Sequence, residues 1–283
     1  SAPTGLVAIQ GSAKAAATIW SLWCHSFCGL TPASPRVAGR FSSRLSRSRP
    51  FRKFRTATVS ALPPIPAAQE PTPVLDLTAN GPAGFPFSVW SRLQRQTMQE
   101  LGQTLLQPLH NQGAWELRCA IAAHLQAFRG LQVNPEQILI GAGTDFLYNL
   151  LIQLLGREKC YGVEEPGYGK IRKIYAAAGA ACVDAKMDKL GVDPGCLQAA
   201  QVLHISPAHH FPTGLVTPAS RRLELLQWAQ QTESWIIEDD YDSEFRFDAR
   251  PLSAMYTMDP ERVIYMNSFS KSLAPSSVRL PAG

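Results

Sequence analysis

The sequence predicts an α/β fold, with a mostly parallel sheet flanked by helices. Three observations predict it. Hydrophobic periodicity appears from about Val74 and persists to the end of the chain. Short apolar runs alternate there with helical patterns, the spacing of strands joined through helices. Each run ends in a loop rich in Gly, Pro or Asp, as expected where a sheet presents ligand-binding loops.

The elements follow in order. Residues 115 to 129 predict a helix, because Leu117, Ile121, Leu125 and Phe128 share one face and Gly130 stops the run. Ile138 to Ile140 is a short apolar strand. Asp145 to Leu155 is a helix with Phe146, Leu147, Leu150, Leu151 and Leu154 as its buried stripe. Cys160 to Val163 is a strand and Lys170 to Ala178 a helix. Ala181 to Asp184, Val202 to Ile205, Trp235 to Glu238 and Val263 to Met266 are further strands, with a helix at Arg221 to Gln231.

Composition bounds the function. A chain of 283 residues suffices for one large domain or two ordinary ones. No apolar run is long enough to span a bilayer, so no membrane partner is expected. Six cysteines in so long a chain read as reduced thiols and place the protein in the cytoplasm. Cys24-His25-x-x-Cys28 is half a metal site without a second Cys/His pair at ligand spacing, and no metal is expected. The net charge of +5 is uneven. Residues 1 to 69 contain no acid and carry +9, which leaves the remainder at −4. A uniformly basic, nucleic-acid-coating surface is thereby excluded for the larger part.

Three regions separate. Residues 1–62 are basic, acid-free and of unclear fold. Residues 63–75 are a proline-rich linker, with Pro63, Pro64, Pro66, Pro71 and Pro73 favouring extended geometry. Residues 76–283 hold the α/β pattern.

The loops after the strands carry the chemistry. Gly141-Ala142-Gly143-Thr144-Asp145 opens a helix, and free amides behind glycines make a phosphate cradle; a plain strand-to-helix turn has the same look. In Glu164-Glu165-Pro166-Gly167-Tyr168-Gly169, Tyr168 either stacks on a planar ring or caps the core. Ser206 to Gly214 is a rigid loop whose adjacent histidines, His209 and His210, shape a pocket more readily than they share a metal. In Glu238-Asp239-Asp240-Tyr241-Asp242, a continued strand would project Asp239 and Tyr241 to one face, where carboxylate and phenol can hold neighbouring atoms of an aromatic heterocycle. A magnesium site and a solvated acidic turn are the competing readings. Lys271 sits among small and hydroxyl residues just past the last strand, a candidate Schiff-base amine, although a lone lysine is ordinarily a surface charge.

Taken together, Glu-Glu-Pro-Gly-Tyr (164–168), His-His-Phe-Pro-Thr-Gly (209–214), Ile-Ile-Glu-Asp-Asp-Tyr-Asp-Ser-Glu-Phe (236–245) and Ser-Phe-Ser-Lys-Ser-Leu-Ala-Pro (268–275) resemble fold-type-I pyridoxal 5′-phosphate (PLP) enzymes of aminotransferase class I/II. More narrowly they resemble the aminotransferase-like half of MocR/GabR-type regulators of the GntR family. The resemblance covers about residues 76 to 283 and implies the major domain of a PLP-dependent transferase.

It implies PLP as cofactor and a role for each matching residue. Lys271 would be the catalytic residue, holding PLP as a Schiff base and shuttling a proton between substrate Cα and cofactor C4′. Asp239 would pair with the pyridine nitrogen, Tyr241 would bond the ring 3-oxygen, and Tyr168 would stack on the ring. Ala142, Gly143 and Thr144 would hold the phosphate, helped by Ser268, Ser270 and Arg279. Arg279 lies eight residues after the lysine, an offset that matches many aminotransferases, whereas regulators of this type often show seven.

Two departures qualify the match. The resemblance implies a small C-terminal domain beyond Gly283, missing here, which would carry the arginine that grips a substrate carboxylate. The MocR type begins with a winged helix-turn-helix, and residues 1 to 62 show no such pattern. That segment reads as a targeting peptide, a basic nucleic-acid-binding arm, or an out-of-frame translation that rejoins the frame near Val59; the last accounts best for a missing fold signal before an ordinary linker. The function expected is therefore an aminotransferase-like domain acting on an amino acid or related amine, with a homodimer as its assembly. The alternatives are a PLP-responsive transcription regulator that senses an amino compound without turnover, and a truncated, inactive product. DNA would be a partner only of a parent with an intact N-terminal DNA-binding domain.

Overall fold

This computed structural model describes residues 86–242, 245 and 252–269 together with the backbone of residues 7–10. Lys271, Ser270, Arg279 and the Cys24/Cys28 pair lie outside the described residues, as does the linker 63–75.

The strands are β1 (Val7–Gln10), β2 (Ile138–Gly141), β3 (Cys160–Glu165), β4 (Ala181–Asp188), β5 (Gly191–Val192), β6 (Val202–Ile205), β7 (Trp235–Asp239) and β8 (Val263–Ser268). They form one sheet in the order β2-β1-β8-β7-β6-β3-β4-β5. Every pairing is parallel except β4 with β5. The helices are α1 (Phe87–Leu101), α2 (Trp115–Arg129), α3 (Thr144–Leu155), α4 (Gly169–Ala177), α5 (Ala219–Gln231) and the short α6 (Met255–Met258).

Alternation along each strand divides two cores. Ile236, Val263 and Tyr265 point to the face covered by α2 and α5, where Leu117, Ile121, Leu125, Leu225 and Ala229 pack. Ile237, Ile264 and Met266 point to the opposite face, against Leu147, Leu151 and Ile152 of α3 and Ile171 and Tyr175 of α4. All six residues of β8 and all four of β6 are buried, as a parallel sheet covered on both faces requires. Helix α2 ends where the sequence places its stop: Gly130 adopts φ 68°, a left-handed cap, and its N–H bonds Gln126 O and Leu125 O.

Two predicted faces are corrected. The buried stripe of α3 is Leu147, Tyr148, Leu151, Ile152 and Leu155, whereas Phe146 and Leu154 are exposed. This helix is apolar almost all round, so periodicity does not choose between neighbouring arcs; the sheet takes the arc containing Tyr148, whose hydroxyl finds a buried partner. In α2, Phe128 is exposed and His124 is buried in its place, with the two rings 4.4 Å apart. Strands β3, β4, β7 and β8 each run beyond the expected end.

Candidate functional site at the carboxyl edge of the sheet

Because β2, β3, β6, β7 and β8 run parallel, Gly141, Glu165, Ile205, Asp239 and Ser268 all end on one edge. The described loops singled out by sequence, 141–145, 164–169, 206–214 and 238–242, therefore gather there. Ligands in open α/β sheets bind at this edge.

The α3 N-terminus follows β2 directly. Gly143 is its N-cap with φ 148°, a conformation L side chains rarely adopt. A Cβ at Gly143 would meet nothing within 4 Å, so the backbone angle, not space, demands glycine. No side chain caps the helix, and its first-turn amides stay available to an anion. Ala142 is exposed, Gly143 buried and Thr144 half-buried. One turn on, about 6 Å along the axis at 1.5 Å per residue, Tyr148 donates a 2.7 Å hydrogen bond to Asp239 Oδ2.

Asp239 closes β7 and is 5% exposed. Its Oδ2 also lies 3.4 Å from His204 Nε2, and His204 Nδ1 is 2.6 Å from the Tyr175 hydroxyl. Oδ1 of Asp239 takes no hydrogen bond from the described residues. Burial, reinforced by the Asp239 charge, pushes Tyr148 well above the ordinary phenol value, so it remains a donor.

The loops after β3 and β6 meet. The Tyr168 and Phe211 rings stand edge to face at 6.2 Å, and Tyr168 is about half exposed. Glu164 accepts the Ser206 N–H at 3.1 Å and lies 3.6 Å from His210 Nε2. Burial pushes Glu164 up to about 8 and lowers His210. The peptide bonds Glu165–Pro166 and Phe211–Pro212 are cis.

Tyr241 departs from the spacing argument. β7 stops at Asp239, so Tyr241 lies in a turn, and its hydroxyl donates to His209 O at 3.0 Å. The extended geometry assumed for the acidic string ends before the phenol. Asp240 instead faces the other core, with Oδ2 2.6 Å from Arg129 Nη2 and 2.6 Å from the Tyr265 hydroxyl. Glu238 shares that face and accepts N–H bonds from Met255 and Tyr256 at 3.0 Å each. The acidic string is thus neither a solvated turn nor a converged cation cage. Ser268 is buried at the end of β8, two residues past Met266, the partner of Asp239 in register.

The sequence model described as "Aminotransferase class I and II" matches residues 72–281. The chain belongs to the aminotransferase class I and II family. That family is PLP-dependent. Several curated relatives of this aminotransferase-family chain carry the names of HTH-type regulators. It is 39% identical over 198 residues to "Uncharacterized HTH-type transcriptional regulator YdeL" of Bacillus subtilis, covering 68% of this chain and 42% of the relative. It is 35% identical over 210 residues to "HTH-type pyridoxine biosynthesis transcriptional regulator PdxR" of Corynebacterium glutamicum, covering 72% and 45%. Among solved structures, LysN, alpha-aminoadipate aminotransferase, from Thermus thermophilus matches with TM-score 0.62 at 26% identity, over 70% of this chain and 53% of that one. An archaeal alanine:glyoxylate aminotransferase matches the fold with TM-score 0.64 at 24% identity, over 71% and 53%. The chain spans less than half the length of these two curated relatives.

Within this candidate site, Tyr148 ties the helix that opens at Thr144 to Asp239, and Tyr168 meets Phe211 of the β6 loop. Sequence reasoning missed Tyr148, His204, Tyr175 and the Glu164–His210 contact. Two signals were present: a histidine inside an otherwise apolar strand, and a tyrosine one turn after the cradle. Among the described residues, no helix is long and apolar enough to cross a membrane, and no three His, Cys, Asp or Glu side chains group to hold a metal.

Proposed function

We propose that this chain forms the cofactor-holding part of a PLP-dependent, aminotransferase-like domain that acts on an amino acid or related amine. The observation that carries the reading is the Asp239 carboxylate, buried at the carboxyl edge with Oδ2 held by Tyr148 and Oδ1 left without a bond among the described residues. A carboxylate oxygen with no donor among the described residues suits the protonated nitrogen of a pyridine ring. The uncapped α3 N-terminus behind Gly143 suits a phosphate, and a half-exposed tyrosine suits a ring face.

In this reading Lys271 supplies the amine that attaches the cofactor and moves a proton at the substrate Cα. Ala142, Gly143 and Thr144 hold the phosphate, with Ser268, Ser270 and Arg279. Tyr241, whose hydroxyl donates to His209 O, would hold the ring 3-oxygen, and Tyr168 would cover the ring. When bound, PLP supplies an electron sink for charge developing at the substrate carbon. Residues 76–283 are the main part of the cofactor domain and 63–75 its linker, while the basic segment 1–62 contributes β1 to the same sheet. A second copy completes the assembly, in the cytoplasm.

A second reading is favoured by the regulator relatives. In it the same site senses an amino compound without turnover, as the effector domain of a transcription regulator. DNA is then a partner only of a parent with an intact DNA-binding domain. One experiment separates the readings. The full chain is loaded with PLP and titrated with amino acids, with a 2-oxo acid as acceptor, against Lys271→Ala. Amino-group transfer supports the enzyme. A saturable absorbance change without product supports the sensor. No visible band in a folded sample rejects both.

A further inference from the structure

Tyr175 is fully buried, and its only hydrogen-bond contact among the described residues is His204 Nδ1 at 2.6 Å. Burial holds that phenol well above its ordinary value, so the O–H keeps its proton. A buried hydroxyl proton without an acceptor is costly, so Tyr175 donates to Nδ1. An imidazole that accepts at Nδ1 carries its proton on Nε2. In His204 that atom faces Asp239 Oδ2 at 3.4 Å. The Tyr148 ring stands edge to face against the same imidazole, with centroids 5.1 Å apart. Elements α3 and β6 therefore meet at one carboxylate oxygen of β7, with α4 bracing the imidazole.

We propose that His204 is a positioning residue for Asp239: Tyr175 fixes its tautomer, and its Nε2–H, beside the Tyr148 hydroxyl, holds Oδ2 so that Oδ1 faces the ligand. This rests on the reading that Asp239 meets the ring nitrogen of PLP. Neither His204 nor Tyr175 touches the ligand. They act through Asp239, as second partners orient metal-bound histidines. Loss of His204 leaves Oδ2 with one donor, and loss of Tyr175 removes what fixes the tautomer of the other. A histidine kept only to fill the core would have no such effect.

Two measurements on the full chain test this. In ¹⁵N-histidine-labelled protein without cofactor, two-bond correlation spectra should show His204 as the Nε2–H tautomer, assigned by its loss in His204→Gln. Tyr175→Phe should disturb that pattern. PLP affinity is then read by absorbance titration. His204→Leu and Tyr175→Phe should weaken binding about tenfold, the equivalent of one charge-assisted hydrogen bond. His204→Gln, which retains an N–H, should recover part of the loss. Tyr161→Phe is the control, because it deletes a buried hydroxyl bonded to Gly156 O at 2.9 Å on the same core and should leave PLP affinity unchanged. If His204→Leu fails to fold, Tyr175→Phe and His204→Gln decide. An Nδ1–H tautomer, or equal weakening in Tyr161→Phe and Tyr175→Phe, overturns the proposal. If the wild-type chain binds no PLP, the cofactor reading falls and the tautomer alone decides: Nε2–H lost in Tyr175→Phe supports the positioning role, and Nδ1–H ends it.

Discussion

Tyr148 and Asp239 are 91 residues apart in sequence and 2.7 Å apart in the fold. That bond ties the helix opening at the phosphate cradle to the strand carrying the buried carboxylate. It makes two ends of one candidate ligand site a rigid unit.

Removing the tie should therefore affect binding more than folding. Tyr148→Phe deletes one bond to a buried charge, worth about 1.5–3 kcal/mol. PLP affinity is expected to fall about tenfold or more, read by absorbance titration. Circular dichroism should remain native. Unchanged affinity would show that Tyr148 only fills the core.

Gly143 is predicted to resist substitution. Its φ of 148° is open to glycine and strained for alanine, although space for a Cβ exists. Gly143→Ala should cost about 1–2 kcal/mol or more in urea denaturation. It should also weaken inorganic phosphate binding at the α3 N-terminus. A neutral Gly143→Ala would mean that the N-cap relaxes freely.

On the other face of β7, Arg129→Met should be among the most harmful substitutions. It leaves Asp240 buried without its cation, which typically costs about 3–5 kcal/mol. Arg172→Met breaks a pair with the half-exposed Asp184 and should cost about 1 kcal/mol or less. Denaturation midpoints of the two variants give the comparison directly.

Stability should decline with pH from weakly acidic toward alkaline conditions. Burial raises Glu164 from 4.5 to about 8 and Glu238 from 4.5 to about 7. The native chain thus retains protons that the unfolded chain has already released. The stabilisation is full below the ordinary carboxylate value and is lost as pH rises through 7 to 8. Urea midpoints between pH 5 and 9 should fall, on the scale of one to a few kcal/mol. Glu164→Gln preserves an acceptor for the Ser206 N–H and should flatten the slope.

Much of this architecture was legible from the residues. β6 and α2 sit where their patterns place them, and Gly130 stops α2 because only glycine enters that cap easily. Asp239 was singled out by its spacing from Tyr241, but β7 ends at Asp239 and Tyr241 lies in a turn. The buried arc of α3 was not legible, since an all-round apolar helix offers several arcs. Helix α1 was not read from the sequence, although Trp90, Leu93 and Leu101 recur at helical spacing; it buries Leu93 and Thr97. The Tyr175–His204–Asp239 line was hidden because three elements distant in sequence form it, and no local period reports such a contact. Lys271, which the motif makes central, lies outside the described residues.

The most direct test is therefore chemical. The full chain is incubated with PLP, reduced with borohydride, digested and mapped by mass spectrometry. The account predicts a pyridoxyl group on Lys271, together with loss of the label in Lys271→Ala. A folded chain that carries no label, or carries it on scattered surface lysines, would contradict it.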